Sequence, residues 1–141
     1  RPWQHVLEPL SGYLTLGASL RLGHSARGEA YNFGPRAEQN HTVVELLEAL
    51  AGIWGFAEMS PAYRVTGNIP FHEASLLKLN CDKALMYLQW EATLQYGETI
   101  QMLGEWYKQY YAGSTEMFAF TAAQIAQYEH TAHERGLRWT L

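Results

Sequence analysis

Helix starts and stops written into this chain constrain its fold more than any other feature. Thr42-Val43-Val44-Glu45 is a capping box, in which the hydroxyl and the carboxylate each satisfy a first-turn backbone N–H that would otherwise lack a partner. The helix it opens spaces Val43, Leu46, Leu47, Leu50 and Trp54 for one buried face, with Gly55 as its stop. Glu8-Pro9-Leu10 is a second entrance, because proline is tolerated in a first turn where its missing N–H has no partner anyway. Leu10, Tyr13, Leu14 and Leu20 then follow helical spacing up to Gly23. Asn80 can cap a brief helix through Leu88. A longer helix over 98–111 carries Ile100, Leu103, Trp106, Tyr107 and Tyr110 and closes at Gly113. Thr121-Ala122-Ala123-Gln124 repeats the capping logic and predicts a terminal helix lasting to Gly136. Short strands are expected at 29–33, ended by Gly34-Pro35, and at 63–66 and 75–79 around a loop over 67–73. The expectation is a mostly helical chain with three short strands and no internal repeat.

Composition narrows the function classes. At 141 residues and 48% hydrophobic, the chain is long enough for one domain over 1–141 with a real core. Its net charge of −4 comes with only 10 Lys and Arg, scattered along the chain, so no basic footprint for nucleic acid is present. No stretch approaches the roughly 18 apolar residues of a membrane span, and no charged-then-apolar leader precedes the first helix. Cys81 is the sole cysteine, which excludes an internal disulfide and fits a reducing compartment; a cytoplasmic protein is the expectation. The chain opens inside a motif and without an initiator Met, as a segment of a longer parent would, although processing gives the same result.

The candidate functional residues are few. Arg1, Trp3, Gln4 and His5 place a permanent cation, an indole, an amide and an imidazole just ahead of a helix. An arginine there can hold a diphosphate through paired N–H donors, a geometry lysine cannot copy. An ordinary polar turn is the alternative. Asn32, disfavoured in a strand interior, offers a donor and an acceptor beside the Gly34 turn, for a ligand or for the turn's own backbone. His72 and Glu73 follow Pro70-Phe71 in a loop, where polar residues serve binding or simply face solvent. His130, His133 and Glu134 share a helix face at metal-ligand spacing, but they lack the order of a zinc protease and any further convergent ligand, so a solvated face and no metal are expected. Cys81 reads as a small buried side chain. Trp106, Tyr107, Tyr110 and Tyr111 read as mainly core, with an interface as the other option. No glycine-rich dinucleotide fingerprint occurs, and no Lys stands four positions after a Tyr.

Four segments taken together carry a resemblance: Arg1-Pro2-Trp3-Gln4-His5-Val6, Tyr31-Asn32-Phe33-Gly34-Pro35, His72-Glu73-Ala74 and Leu77-Lys78-Leu79-Asn80-Cys81-Asp82-Lys83-Ala84. In this order, from Arg1 to about Met117, the chain resembles the C-terminal, substrate-binding part of the CDP-glucose 4,6-dehydratases, members of the extended short-chain dehydrogenase/reductase family. Residues 118–141 fall outside the resemblance as a terminal helical extension. The resemblance implies an α/β enzyme, of which this chain is the small, mostly helical substrate-binding lobe with a few short strands and without the Rossmann sheet. It implies a parent lyase that oxidises C4 of CDP-glucose with bound NAD, eliminates water across C5 and C6, and returns the hydride to C6, giving CDP-4-keto-6-deoxyglucose. NAD and the reacting groups would belong to the missing N-terminal Rossmann domain, so this chain alone is expected to bind no cofactor and to be inactive. Carried over by the resemblance, Arg1 contacts the diphosphate with His5 as a weaker helper, and Asn32, His72 and Glu73 lie at the nucleotide sugar. Asn80 and Asp82 stand where the pattern usually has Asp and Ser; both keep the capping ability, and no contact is assigned to Lys83. Expected partners are the nucleotide sugar and either the missing Rossmann domain or a second copy. A relative acting on another nucleotide sugar, as an epimerase or a different dehydratase, and a stand-alone binding module are the alternatives.

Overall fold

The computed structural model describes residues 1–23, 27–36, 38–56, 62–64, 67 and 78–140. Four α-helices make up most of it: α1 (Leu7–Arg21), α2 (Val43–Trp54), α3 (Tyr96–Tyr111) and α4 (Met117–Glu134), with a π-helical turn at Ala84–Leu88 and a 3-10 turn at Arg138–Thr140. α3 lies between α2 and α4, and α1 packs on the π turn.

The local signals place the helices well. Both arms of the Thr42/Glu45 box form, at 3.2 Å from the Glu45 N–H to the Thr42 hydroxyl and 2.6 Å from the Thr42 N–H to the Glu45 carboxylate. α2 then ends at Gly55 in the left-handed conformation, φ 85°. α3 starts two residues earlier than expected, where the Glu98 carboxylate accepts the Gln95 N–H at 2.7 Å. Asn80 takes the Asp82 N–H at 3.0 Å, as a cap would, but the segment it opens winds into a π turn that closes on Gln89 at φ 52°.

Three expectations need correction. Thr121 and Gln124 do not start α4, which begins at Met117. The Thr121 hydroxyl donates back to the Met117 carbonyl at 2.7 Å and accepts the Trp106 indole N–H at 2.9 Å, while the Gln124 amide donates to the Met102 carbonyl at 2.8 Å. Residues suited to capping thus serve here to bind α4 to α3. The second correction concerns strands, because among the described residues there are none. A strand exists only where its backbone finds a ladder; residues 29–33 are instead held one side chain at a time, by the ion pair of Glu29 with Lys83 at 2.5 Å, the Asn32 amide on the Asn80 carbonyl at 3.1 Å and the Gln4 amide on the Phe33 carbonyl at 3.3 Å. Residues 65–66 and 75–77 of the other two expected strands lie outside the described residues.

The third correction concerns which faces are buried. α2 buries Ala51, holds Leu46, Leu47 and Leu50 half-buried, and leaves Val43 and Trp54 exposed. In α1 Leu20 packs on the core, but Leu10, Tyr13 and Leu14 face outward, while Glu8, Ser11 and Gly12 are buried. Gly12 allows this: a Cβ there would stand 2.5 Å from Cγ of Phe33, whose ring meets Trp90 edge-on at 4.9 Å in the core with Ala84, Leu88 and Ala92. A second cluster of Leu94, Met102 and Tyr128 shares Trp139 with the first.

Polar groups fill the contact that the apolar face of α1 leaves to others. The Glu8 carboxylate accepts the Leu94 N–H at 2.7 Å, the Thr93 N–H at 2.9 Å and the Tyr128 hydroxyl at 2.9 Å. The Trp90 indole N–H donates to the Ser11 hydroxyl at 2.9 Å, which donates in turn to the Glu8 carbonyl at 2.8 Å. Arg135, at the end of α4, holds Glu98 with both guanidinium nitrogens and the Thr93 carbonyl besides. One buried carboxylate therefore fastens α1, the 90–95 segment and α4 together. Burial pushes its carboxyl pKa up while the Leu94, Thr93 and Tyr128 donors pull it down, and burial together with the Glu8 charge pushes the Tyr128 phenol up.

Candidate functional site

The opening segment folds across the entrance of α2. Its chain turns on the Arg1 carbonyl, which accepts the Trp3 N–H at 3.0 Å, and the Arg1 amine donates to Asn40 Oδ1 at 3.0 Å and to the His41 carbonyl at 2.7 Å. The Trp3 indole N–H reaches the same carbonyl at 3.0 Å. Two donors from the start of the chain thus converge on one backbone oxygen at the mouth of the Thr42 capping box. Trp3 is half-buried and hydrogen-bonded, as a packing residue would be.

His5 is buried at the start of α1. Its Nδ1 accepts the Leu7 N–H at 3.3 Å, so the ring proton sits on Nε2, and burial holds its pKa below the ordinary value. A neutral imidazole of this kind can donate one hydrogen bond from Nε2 to a ligand oxygen; it does not supply a positive charge. Asn32 is exposed, and its amide nitrogen is engaged by the Asn80 carbonyl. Its neighbour Phe33 meets Gln4, so Arg1, His5 and Asn32 lie on segments that touch. His72 and Glu73 lie outside the described residues.

The sequence reading missed Asn40, His41 and Tyr96. The His41 ring stacks on Tyr96 with centroids 3.6 Å apart at 15°, and its Nδ1 is 3.8 Å from the Glu45 carboxylate. Burial and the Glu45 charge raise the Tyr96 phenol pKa, and its hydroxyl is buried without a partner among the described residues. The capping box marked Thr42 as a helix entrance, but no local spacing could show that Arg1, 40 residues away, returns to it.

Lys83 pairs with Glu29 and lies 5.0 Å from the Tyr31 ring. Burial pushes the half-buried Cys81 thiol up, away from reactivity. His130 pairs with Glu134 at 3.3 Å on an exposed face, and among the described residues no group of three His, Cys, Asp or Glu is placed to hold a metal. The aromatic set of α3 is not core: Tyr107, Tyr110 and Tyr111 stand exposed, stacked on one another and on half-buried Trp106. Among the described residues no helix is long and apolar enough to cross a membrane.

Among the described residues, Arg1, His5 and Asn32 lie on segments joined by the Gln4–Phe33 and Asn32–Asn80 hydrogen bonds. No family model matches the chain. It is 36% identical over 128 residues, 91% of its length, to a CDP-glucose 4,6-dehydratase of Salmonella typhimurium, and it spans about a third, 34%, of that protein.

Proposed function

As a relative of a C-terminal portion of CDP-glucose 4,6-dehydratase, the chain, we propose, is the part of such an enzyme that holds the nucleotide sugar. The observation that carries this reading is the identity across nine-tenths of the chain. The site adds chemistry that suits the ligand: Arg1 supplies a cation able to take a diphosphate in two parallel hydrogen bonds, and His5 Nε2 can donate a further one. Asn32 is exposed on the segment tied to the opening turn by Gln4, where its free carbonyl side can meet a sugar hydroxyl. His72 and Glu73 complete the proposed contacts.

In this reading no dinucleotide is expected on this chain. Phosphates bind where a glycine-rich turn opens a helix, whereas Gly23, Gly55, Gly113 and Gly136, all left-handed here, stand just after helix ends, and Gly28, left-handed as well, opens no helix among the described residues. In this reading NAD and the proton-transferring groups belong to the rest of the enzyme. This chain contributes binding energy and specificity, and alone it is inactive.

Calorimetric titration with CDP-glucose tests the proposal. Arg1→Ala should weaken binding by about 1.5–3 kcal/mol, the scale of hydrogen bonds to a charged group. Arg1→Lys should recover only part, because a point charge cannot reproduce paired contacts. Unchanged affinity in the alanine variant would remove Arg1 from the site. Equal affinity for UDP-glucose would move the assignment to a relative acting on another nucleotide sugar.

A further inference from the structure

Arg1 is held to His41 from both sides. Its amine donates to the His41 carbonyl at 2.7 Å and the His41 N–H returns to the Arg1 carbonyl at 3.4 Å, so two stretches of backbone 40 residues apart close a reciprocal pair. The Trp3 indole N–H takes the same His41 carbonyl at 3.0 Å. Where His41 sits therefore sets where the turn that carries Arg1 sits.

The position of His41 is set in turn by Tyr96. The two rings lie face to face with centroids 3.6 Å apart at 15°, the shortest ring separation among the described residues. Tyr96 is the first residue of α3, and α3 is fixed on α2 further along. A Cβ on Gly104 would stand 2.7 Å from Cδ1 of Ile53, and Lys108 Nζ donates to the Ile53 carbonyl at 3.0 Å. The Tyr96 hydroxyl is buried without a partner among the described residues, so the face of the ring, and not its O–H, makes the contact. On the α2 side, His41 Nδ1 lies 3.8 Å from the Glu45 carboxylate, which already accepts the Thr42 N–H in the capping box. The imidazole is thus placed by a phenol ring and by a carboxylate that two separate helices hold.

We propose that His41 and Tyr96 are positioning residues for Arg1: their stack fixes the backbone pair from which the guanidinium reaches the diphosphate. The proposal rests on the functional reading above, in which Arg1 meets the ligand. A cation carried on a loose turn must be ordered as the ligand binds, and that ordering is subtracted from the affinity. Here two backbone hydrogen bonds and a ring contact set the turn beforehand, as a binding group held by a supporting shell requires.

Calorimetric titration of the 141-residue chain with CDP-glucose, together with hydrogen exchange of the Trp3 indole N–H followed by NMR, tests this. Tyr96→Ala should weaken CDP-glucose binding about three- to tenfold, the scale of one aromatic pair, and speed the Trp3 indole exchange by a similar factor. Tyr96→Phe, which keeps the ring, should recover both. In the Arg1→Ala background Tyr96→Ala should cost no further affinity, because nothing is left for the stack to position. His41→Ala should repeat the loss from the other ring, and it decides the matter if Tyr96→Ala does not fold. Affinity unchanged by loss of either ring overturns the proposal. So does a loss that persists in full in the Arg1→Ala background, since the pair would then be structural only. Absence of CDP-glucose binding by the parent chain, or no loss from Arg1→Ala itself, would instead refute the functional reading; faster Trp3 exchange in Tyr96→Ala would then still show that the stack holds the opening turn.

Discussion

Replacing Glu8 is the sharpest test of how this fold is held. Glu8→Ala removes the acceptor of two backbone N–H groups and of the Tyr128 hydroxyl, all in a site where the side chain is 1% exposed. A buried donor left without a partner costs about 1–3 kcal/mol, and relaxation lets three of them recover some of it, so the expected loss is about 3–5 kcal/mol. Glu8→Gln keeps one acceptor oxygen but turns an NH₂ group toward the other donors, and should lose about 2–3 kcal/mol. Tyr128→Phe leaves both backbone bonds in place and should lose about 1–2 kcal/mol. With a urea slope of about 2 kcal/mol/M for a chain of this size, the alanine variant should move the unfolding midpoint down by about 2 M and the phenylalanine variant by about 0.5–1 M. The pH dependence carries its own sign. Because burial outweighs the donors and raises the folded pKa of Glu8 above its ordinary 4.5, the native state holds this proton more tightly than the unfolded chain. The stability from this group therefore falls as pH rises from about 4.5 through the raised value, and Glu8→Gln should remove that fall. Urea midpoints followed from about pH 4 to 8 measure both quantities. An alanine variant within about 0.5 kcal/mol of the parent, or a glutamine variant more stable than it, would show that the carboxylate does not fasten α1 to α4.

Two further outcomes follow from the packing. Gly12→Ala sets a methyl against the Phe33 ring, which Trp90 and Tyr13 hold edge-on; it should lower stability by about 1–3 kcal/mol despite the higher helix propensity of alanine, and a thermal melt at or above that of the parent would refute the close approach. His5, whose folded pKa burial holds below its ordinary 6.5, takes up a proton in the unfolded chain first. Stability should accordingly decline as pH falls through about 6.5, and His5→Gln should flatten that decline in urea midpoints taken between about pH 5 and 7.5; an unaltered slope would place the neutral histidine elsewhere.

The sequence by itself determined where α2 begins and ends. Thr42, Glu45 and Gly55 satisfy or release backbone groups within a few residues of themselves, so their effect is legible without knowing what the helix packs on. The resemblance to CDP-glucose 4,6-dehydratase was legible for a related reason: it rests on short segments read in order. Thr121 and Gln124 misled because a hydroxyl or an amide suited to a cap serves equally well in mid-helix once Trp106 and the Met102 carbonyl lie opposite. What the tertiary structure decided is which face each helix turns inward. α1 carries both a leucine stripe and a polar stripe, and periodicity alone assigns the leucines to the core. The polar stripe goes inward because donors at Thr93, Leu94 and Tyr128, 85 to 120 residues away, converge on Glu8. The opening turn meets Asn40 and His41 in the same way, through bonds spanning 39 and 40 residues. Contacts of that range arise only when the whole chain is packed, because each depends on where other elements have already been placed.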